Sequence, residues 1–347
     1  MLLGGRDAKT NVLSGPAAVV PQQYDGPTVY FEASTPFGRS VMSIIEAITL
    51  GIVQGLTEFL PISSTAHLRI VPALLGWDDP GAGYSAVIQC GTLLAVCVAM
   101  RHDIIAIVHG LLAGIRSGRP LATAESRAAV LIALGTLPIV AVGFAARNLI
   151  RGEARRLEVV TTALLLATIL MAVAEIACRR RSRRGLPGRD GLEGVRFADG
   201  LAMGLAQVLA LVPGTSRSGV TISTGMLAGL DRRTAARFSF LLSLPAVAAA
   251  GLLEAWQQRQ EIFGSSAAMG TAAVGTLAAA VVGYASIRWL LRLLTSHTLW
   301  PFIAYRLALA ALLAWSLAAG LAPSTAPSTA ADGSSADRSM PSRFAFL

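Results

Sequence analysis

Glu58 stands inside an apolar stretch, with Gln54 four residues before it on the same face of a helix. Hydrocarbon is a costly place to leave an ionisable side chain unpaired, so a carboxylate there is expected to hold a proton, a cation or a partner. After Pro61 come Ser63, Ser64, Thr65 and His67. Ser63 reads as an N-cap, which puts Ser64 and His67 at i and i+3 on one face of the helix that follows. A hydroxyl is a poor nucleophile until a base within hydrogen-bond reach takes its proton, and an imidazole is such a base. The third cluster is Pro213-Gly214-Thr215-Ser216-Arg217-Ser218-Gly219. It favours an anion: N–H groups at a helix N-terminus carry partial positive charge, glycines let the backbone come close, and Arg217 offers a planar fork for phosphate. Glu46, Glu175 and Glu254 lie near expected helix ends and read as interfacial.

Such groups need a scaffold, and the composition says which kind. The 347 residues are 54% hydrophobic and 14% charged, with a mean hydropathy of +0.60. Soluble domains carry about 25% charged residues, so most of this chain's outer surface is expected to face lipid. The same numbers exclude intrinsic disorder and collagen-like repeats, and Cys90, Cys97 and Cys178 match no disulfide framework, zinc site or redox pattern. The net charge of +9 comes mostly from arginines placed between apolar runs, not interleaved with aromatics, so no nucleic-acid partner is expected.

Runs at 82–100, 127–150, 158–177, 234–255, 267–290 and 301–322 are each long enough to cross about 30 Å of hydrocarbon as a helix. The stretches 43–76 and 197–230 are apolar too, but each is broken by a proline-containing polar cluster. Irregular backbone at membrane depth survives only when it is buried in protein or lines a wet cavity, so both read as re-entrant hairpins. The two resemble each other at Gly51-Ile52-Val53-Gln54 and Gly204-Leu205-Ala206-Gln207, then at Leu60-Pro61 and Val212-Pro213, then at Ser63-Ser64 and Thr215-Ser216, with an offset of 152 to 153 residues. Placing the Arg-rich stretch 178–196 in the cytoplasm also places Arg101, Arg116, Arg119, Arg127, Arg232, Arg233, Arg288 and Arg292 there. The first hairpin then enters from outside and the second from inside. The expected fold is an all-α polytopic membrane protein of about six full transmembrane helices plus two re-entrant broken-helix hairpins in an inverted repeat.

Residues 1–41 are polar, carry no signal-peptide pattern, and are expected to be a disordered extension or an over-long reading of the start, with Met42 opening the first apolar stretch. The tail 323–347 is rich in Ser, Pro, Thr and Ala and is expected to be disordered. Between them lies one membrane domain, 42–322, made of a first repeat (42–177), the Arg-rich loop (178–196) and a second repeat (197–322). If the hairpins are symmetry mates, their tips meet near mid-membrane, and Glu58, Ser64 and His67 face Arg217. A phosphate site with a nucleophile and a base, reached from lipid, implies a lipid phosphate or diphosphate. A transporter or flippase of such a lipid would use the same architecture; a Ser64 and His67 pair is what transport does not need.

The strings Gln54-Gly55-Leu56-Thr57-Glu58-Phe59-Leu60-Pro61-Ile62-Ser63-Ser64-Thr65-Ala66-His67 and Pro213-Gly214-Thr215-Ser216-Arg217-Ser218-Gly219 resemble the two signature motifs of the bacterial undecaprenyl-diphosphate phosphatase, or bacitracin-resistance, family. The likeness extends over about 42–320, with pieces such as Val87-Ile88-Gln89-Cys90-Gly91. It implies an inner-membrane enzyme whose site opens to the outer side and which removes one phosphate from the C55 carrier lipid diphosphate, renewing the carrier for peptidoglycan synthesis. By that resemblance Glu58 is the key acid, Ser64 the nucleophile, His67 a base or acid, and Arg217 the phosphate clamp. Ser63, Thr65, Gly214, Thr215, Ser216 and Ser218 are the expected phosphate-binding set. Attack by His67 or by water stays open beside Ser64. A divalent cation, Mg²⁺ or Ca²⁺, is implied as well, riding in with the diphosphate on Glu58 and Gln54. Gln54 stands where the family often has Glu, and Ala66 where it often has Gly. Gln54 can ligate or hydrogen-bond but takes no proton. The partners expected are the prenyl diphosphate lipid and the bilayer, with a homodimer left open.

Overall fold

The computed structural model describes residues 42–146, 149–150, 154 and 156–319, so the disorder expected of 1–41 and 323–347 falls outside the described residues. Most of those described are helical, and none lies in a strand. The first broken stretch gives α1 (Ile44–Phe59) and α2 (Ser64–Leu75). Ser43 and Glu46 close a capping box at the start of α1, the end-of-helix place expected for Glu46. Helix α1 stops because Pro61 has no N–H and pushes Leu60 into extended backbone, φ −69° and ψ 142°.

Then come α3 (Gly81–Ala99), α4 (Arg101–Arg116), α5 (Ala124–Ala145) and α6 (Leu157–Arg183). The second broken stretch gives α7 (Phe197–Gln207), a 3₁₀ turn (Val208–Leu211) and α8 (Arg217–Leu227), interrupted before Pro213 by extended Val212. The chain finishes with α9 (Arg232–Gln257), short α10 (Arg259–Phe263), α11 (Ser266–Ser296) and α12 (Trp300–Ala318). Helices α3, α5, α6, α9, α11 and α12 fall on the expected spans. Helix α4 was not foreseen: it leaves α3 at a 74° bend and is pinned to α9 by the Asp103–Arg237 ion pair.

Two expectations on the Arg-rich side need correction. Helix α6 does not end at the membrane edge near 177 but runs through Arg183, so Arg179, Arg180, Arg181 and Arg183 are helical and not loop. Glu175 is thereby well inside the helix. It is fully buried, not interfacial, and accepts from Arg232 at 2.5 and 2.9 Å, from Arg179 at 3.1 Å and from the Leu299 N–H at 3.3 Å. One carboxylate thus ties α6, α9 and the start of α12.

The packing repeats itself when the two halves are exchanged. Helix α1 lies along α11 as α7 lies along α5, α3 meets α11 as α9 meets α5, and each hairpin packs on itself. Helix α3 meets α9 and α6 meets α12, so each of these pairs is its own image. Close approach depends on glycine in both crossings. A Cβ on Gly51 would lie 2.3 Å from the Gly275 carbonyl oxygen, and one on Gly204 would lie 2.4 Å from the Gly135 Cα. Small residues let backbones approach where burial from water cannot drive helices together.

Candidate active site

The breaks meet. Among the described residues the only non-glycines with positive φ are Ser63 (77°) and Ser216 (69°), each the residue before a half-helix. Their separation is 153 residues, the offset of the glycine and glutamine matches, so Ser63 pairs with Ser216 and Ser64 with Arg217. The match of Ser63-Ser64 to Thr215-Ser216 is therefore out of register by one residue. Left-handed backbone in a non-glycine costs on the order of 1–3 kcal/mol and persists only where its surroundings enforce it. Ser216 caps its helix, accepting from the Gly219 N–H at 3.2 Å. Ser63, expected to do the same, makes no capping bond; its hydroxyl lies 3.2 Å from that of Thr65.

Glu58, next to last in α1, is 8% exposed and sits between the half-helices. Its Oε1 accepts from Arg217 at 2.8 Å, and its Oε2 accepts from the Ser64 hydroxyl at 2.8 Å and from Gln54 Nε2 at 3.1 Å. Ser64 and Arg217 are each the first residue of their helix, where N–H groups have no intrahelical acceptor and the helix dipole is positive. With Ser63, Thr65 and Ser216 they line a cavity of about 200 Å³. Carboxylate, hydroxyl and guanidinium come from three helices and both halves of the chain.

The predicted Ser64 and His67 pair does not form. His67 Nδ1 donates to the Ser63 carbonyl oxygen at 2.7 Å, and its Nε2 lies 2.5 Å from the Tyr305 hydroxyl. The two rings stack with centroids 5.6 Å apart, and His67 is absent from the residues lining the cavity. An i, i+3 spacing permits contact but does not choose it; a carbonyl one turn back and a tyrosine from α12 claim both ring nitrogens. The basic atom beside Ser64 is Glu58.

Of the expected phosphate-binding set, Ser63, Thr65 and Ser216 line the cavity. Gly214, Thr215 and Ser218 support it from behind. Gly214 N–H reaches Thr65 Oγ1 at 3.5 Å, and Ser218 Oγ donates to the Leu60 carbonyl at 3.1 Å, lacing one break to the other. Gly214 has φ 93°, and a Cβ there would lie 2.4 Å from the Val160 carbonyl oxygen, so no larger residue fits.

Arg306 was not singled out from the sequence. It is fully buried in α12 and donates to the Pro61 carbonyl at 3.5 Å, to the Gly214 and Thr215 carbonyls at 3.2 and 3.1 Å, and to Thr168 and Leu164 on α6. It fixes both breaks at once and pairs with no carboxylate among the described residues. A lone arginine inside the apolar run 301–322 was the available signal. Gln89 and Thr57 also line the cavity; nothing in their spacing set them apart.

For a divalent cation, Gln54 Oε1 is the informative atom: it is buried beside Glu58 and has no hydrogen-bond partner. Amide and carboxylate oxygens are the hard donors Mg²⁺ and Ca²⁺ take, so the residues fit such an ion. Among the described residues no group of three or more His, Cys, Asp or Glu side chains forms a metal cage.

Comparison with known proteins agrees with this geometry. Residues 47–312 match the family model described as bacitracin resistance protein BacA. A protein of Chlorobaculum tepidum named undecaprenyl-diphosphatase is 50% identical over 268 residues, 77% of this chain and 95% of the relative. Proteins of the same name from Chlorobium limicola, 48% identical over 270 residues, and Chlorobium chlorochromatii, 45% identical over 272 residues, cover 78% of this chain and 95% and 96% of their own lengths. Both motif-bearing breaks lie inside the matched region, and the chain belongs to the BacA bacitracin resistance protein family.

Proposed function

We propose that this chain is an integral-membrane phosphatase that hydrolyses undecaprenyl diphosphate to undecaprenyl phosphate and inorganic phosphate. The observation that carries the reading is Glu58 held between the Ser64 hydroxyl and Arg217, each at 2.8 Å. In the reaction Ser64 Oγ attacks the terminal phosphorus as its proton passes to Glu58 Oε2. The bond from phosphorus to the bridging oxygen breaks, and prenyl phosphate leaves with the electron pair and takes up that proton from Glu58. Water, deprotonated by the freed Glu58 carboxylate, then attacks the phosphorus on Ser64; the bond from phosphorus to Ser64 Oγ breaks, inorganic phosphate leaves, and the proton returns from Glu58 to Ser64 Oγ. Arg217 and the first N–H groups of α2 and α8 stabilise charge on the non-bridging oxygens, the main task in phosphoryl transfer. Glu58 and Gln54 Oε1 would hold a divalent cation, which when bound neutralises diphosphate charge. His67 and Tyr305 keep Ser63 in its left-handed turn, so that Ser64 heads its helix toward Glu58.

The positive-inside pattern supports a bacterial inner-membrane location with the Arg-rich segment 178–196 in the cytoplasm and the site open to the outer side. Recycling of the lipid carrier, and with it bacitracin resistance, follows from the reaction. The deciding assay incubates the purified protein with a C55 or C15 prenyl diphosphate and Mg²⁺ and measures phosphate. Release that disappears in Ser64→Ala and Glu58→Gln is the expected result. No release, with prenyl phosphate instead crossing proteoliposome bilayers, would make the protein a lipid transporter.

A further inference from the structure

The cavity has a second wall that phosphate chemistry does not use. Besides Glu58, Ser64 and Arg217 it is lined by Ile139 of α5, Ala210 and Val212 of the second break, and Ala246, Val247 and Ala250 of α9. These side chains offer no hydrogen bond, and half of them are alanine.

Helices α5 and α9 touch just before this wall begins: a Cβ on Gly135 would lie 2.9 Å from Leu242 Cδ1. One turn further on, each helix carries an internal proline, Pro138 in α5 and Pro245 in α9. A proline inside a helix removes the bond to the carbonyl four residues back and bends the axis. Past the prolines the next residues, Ile139 and Ala246, flank the cavity. Exposure then rises outward along α9, from Ala246 at 8% to the exposed Ala250 one turn later. Beyond that rim lie Val140 and Phe144 on α5 and Leu253 on α9, exposed apolar side chains that in a membrane chain meet lipid. The other extension of the site, between α3 and α9 past Leu93, Val96 and Leu244, has no room for a water molecule.

We propose that the stretch of cavity wall between Ile139 of α5 and Ala246 to Ala250 of α9, just past Pro138 and Pro245, is the lateral port by which the prenyl chain of the lipid diphosphate leaves the phosphate site for the bilayer, with Ala246 and Ala250 setting the width of the slot. The inference rests on the hydrolytic reading for its choice of ligand. The diphosphate sits on Arg217 and the two helix N-termini, and the first isoprene units pack between Ile139 and Ala246. Apolar substrate surface thereby passes from the site to hydrocarbon without crossing water, as the hydrophobic effect favours.

Two measurements test the port. Ala250→Phe adds a ring at an exposed rim position that the fold can carry. It should raise KM for farnesyl diphosphate at least about tenfold, with kcat little changed and with the inhibition constant of inorganic pyrophosphate, which has no chain, unaltered. An unchanged KM overturns the port. Independently, a farnesyl diphosphate analogue with a photoreactive diazirine on its first isoprene unit should label the unmodified protein at Ile139 or between Ala246 and Ala250. Labelling of Leu93 or Val96 on α3 instead overturns it. Failure of wild-type protein to release phosphate from farnesyl diphosphate would bring down the hydrolytic reading alone, because cross-linking needs only binding.

Discussion

At the scale of single residues, Glu58→Gln isolates the role of charge, since size and most hydrogen bonding are kept. Loss of a general base costs about 10² to 10⁴ in rate, so phosphate release from C15 prenyl diphosphate should fall at least a hundredfold while the protein still inserts; near-normal turnover would make Glu58 structural. Arg217→Lys keeps the charge but replaces a planar fork with a flexible point charge. It should lose about 10² to 10³ in kcat with little change in KM, whereas a residue that merely snorkelled to headgroups would tolerate lysine. Gln54→Glu puts a second carboxylate beside Glu58, a repulsion that a cation relieves. The concentration of Mg²⁺ or Ca²⁺ giving half-maximal activity should therefore drop about tenfold, since cation affinity is tuned by the charge of the ligands, and an unchanged titration would place the ion elsewhere. Glu58 and Arg217 were legible in the sequence because each is a charge well inside an apolar stretch, away from its ends. The partners of His67 and Glu175 were not, because Tyr305 and Arg232 lie far along the chain.

At the scale of elements, the crossings α1 on α11 and α7 on α5 are images of one another, and both need glycine. Gly51→Val and Gly204→Val each drive a side chain into backbone, so little folded protein should be recovered from either in detergent. Gly270→Ala, in the same helix as Gly275 but with nothing within 4 Å of its would-be Cβ, should raise stability by up to about 1 kcal/mol. Thermal unfolding followed by fluorescence separates these cases; a well-folded Gly204→Val protein would mean the crossing is loose. The spans were readable because twenty apolar residues in a row have one use in a membrane. Helix α4 was hidden by its polar residues, Arg101, His102, Asp103 and His109, which break up any apolar run while one side stays oily. The extension of α6 was hidden for the opposite reason: arginine marks a membrane edge, yet it is also a good helix former. The left-handed turn at Ser63 had no signal at all, since serine seldom adopts it.

At the scale of the whole molecule, sidedness can be tested directly. With Cys90, Cys97 and Cys178 replaced, a cysteine at exposed Asp79 should react with a membrane-impermeant maleimide in intact cells, and cysteines at exposed Ser117 or Ser182 should react only after lysis. The reverse pattern would turn the protein over. The exchange symmetry of the packing has a further consequence, for how the protein is made. Among the described helices α1 is the first to leave the ribosome, but the helix it lies along, α11, is next to last, and Arg306, which fastens both breaks, comes later still. At about 5–20 residues per second the first hairpin waits on the order of 10 s or more for its partner. Until residue 217 is made Glu58 lies in or beside lipid without Arg217, and until residue 306 is made neither break has the guanidinium that holds it. The insertion machinery must therefore shelter an unfinished hairpin, and a chain released before Arg306 would carry every residue proposed to react while lacking the clasp that brings the two breaks together.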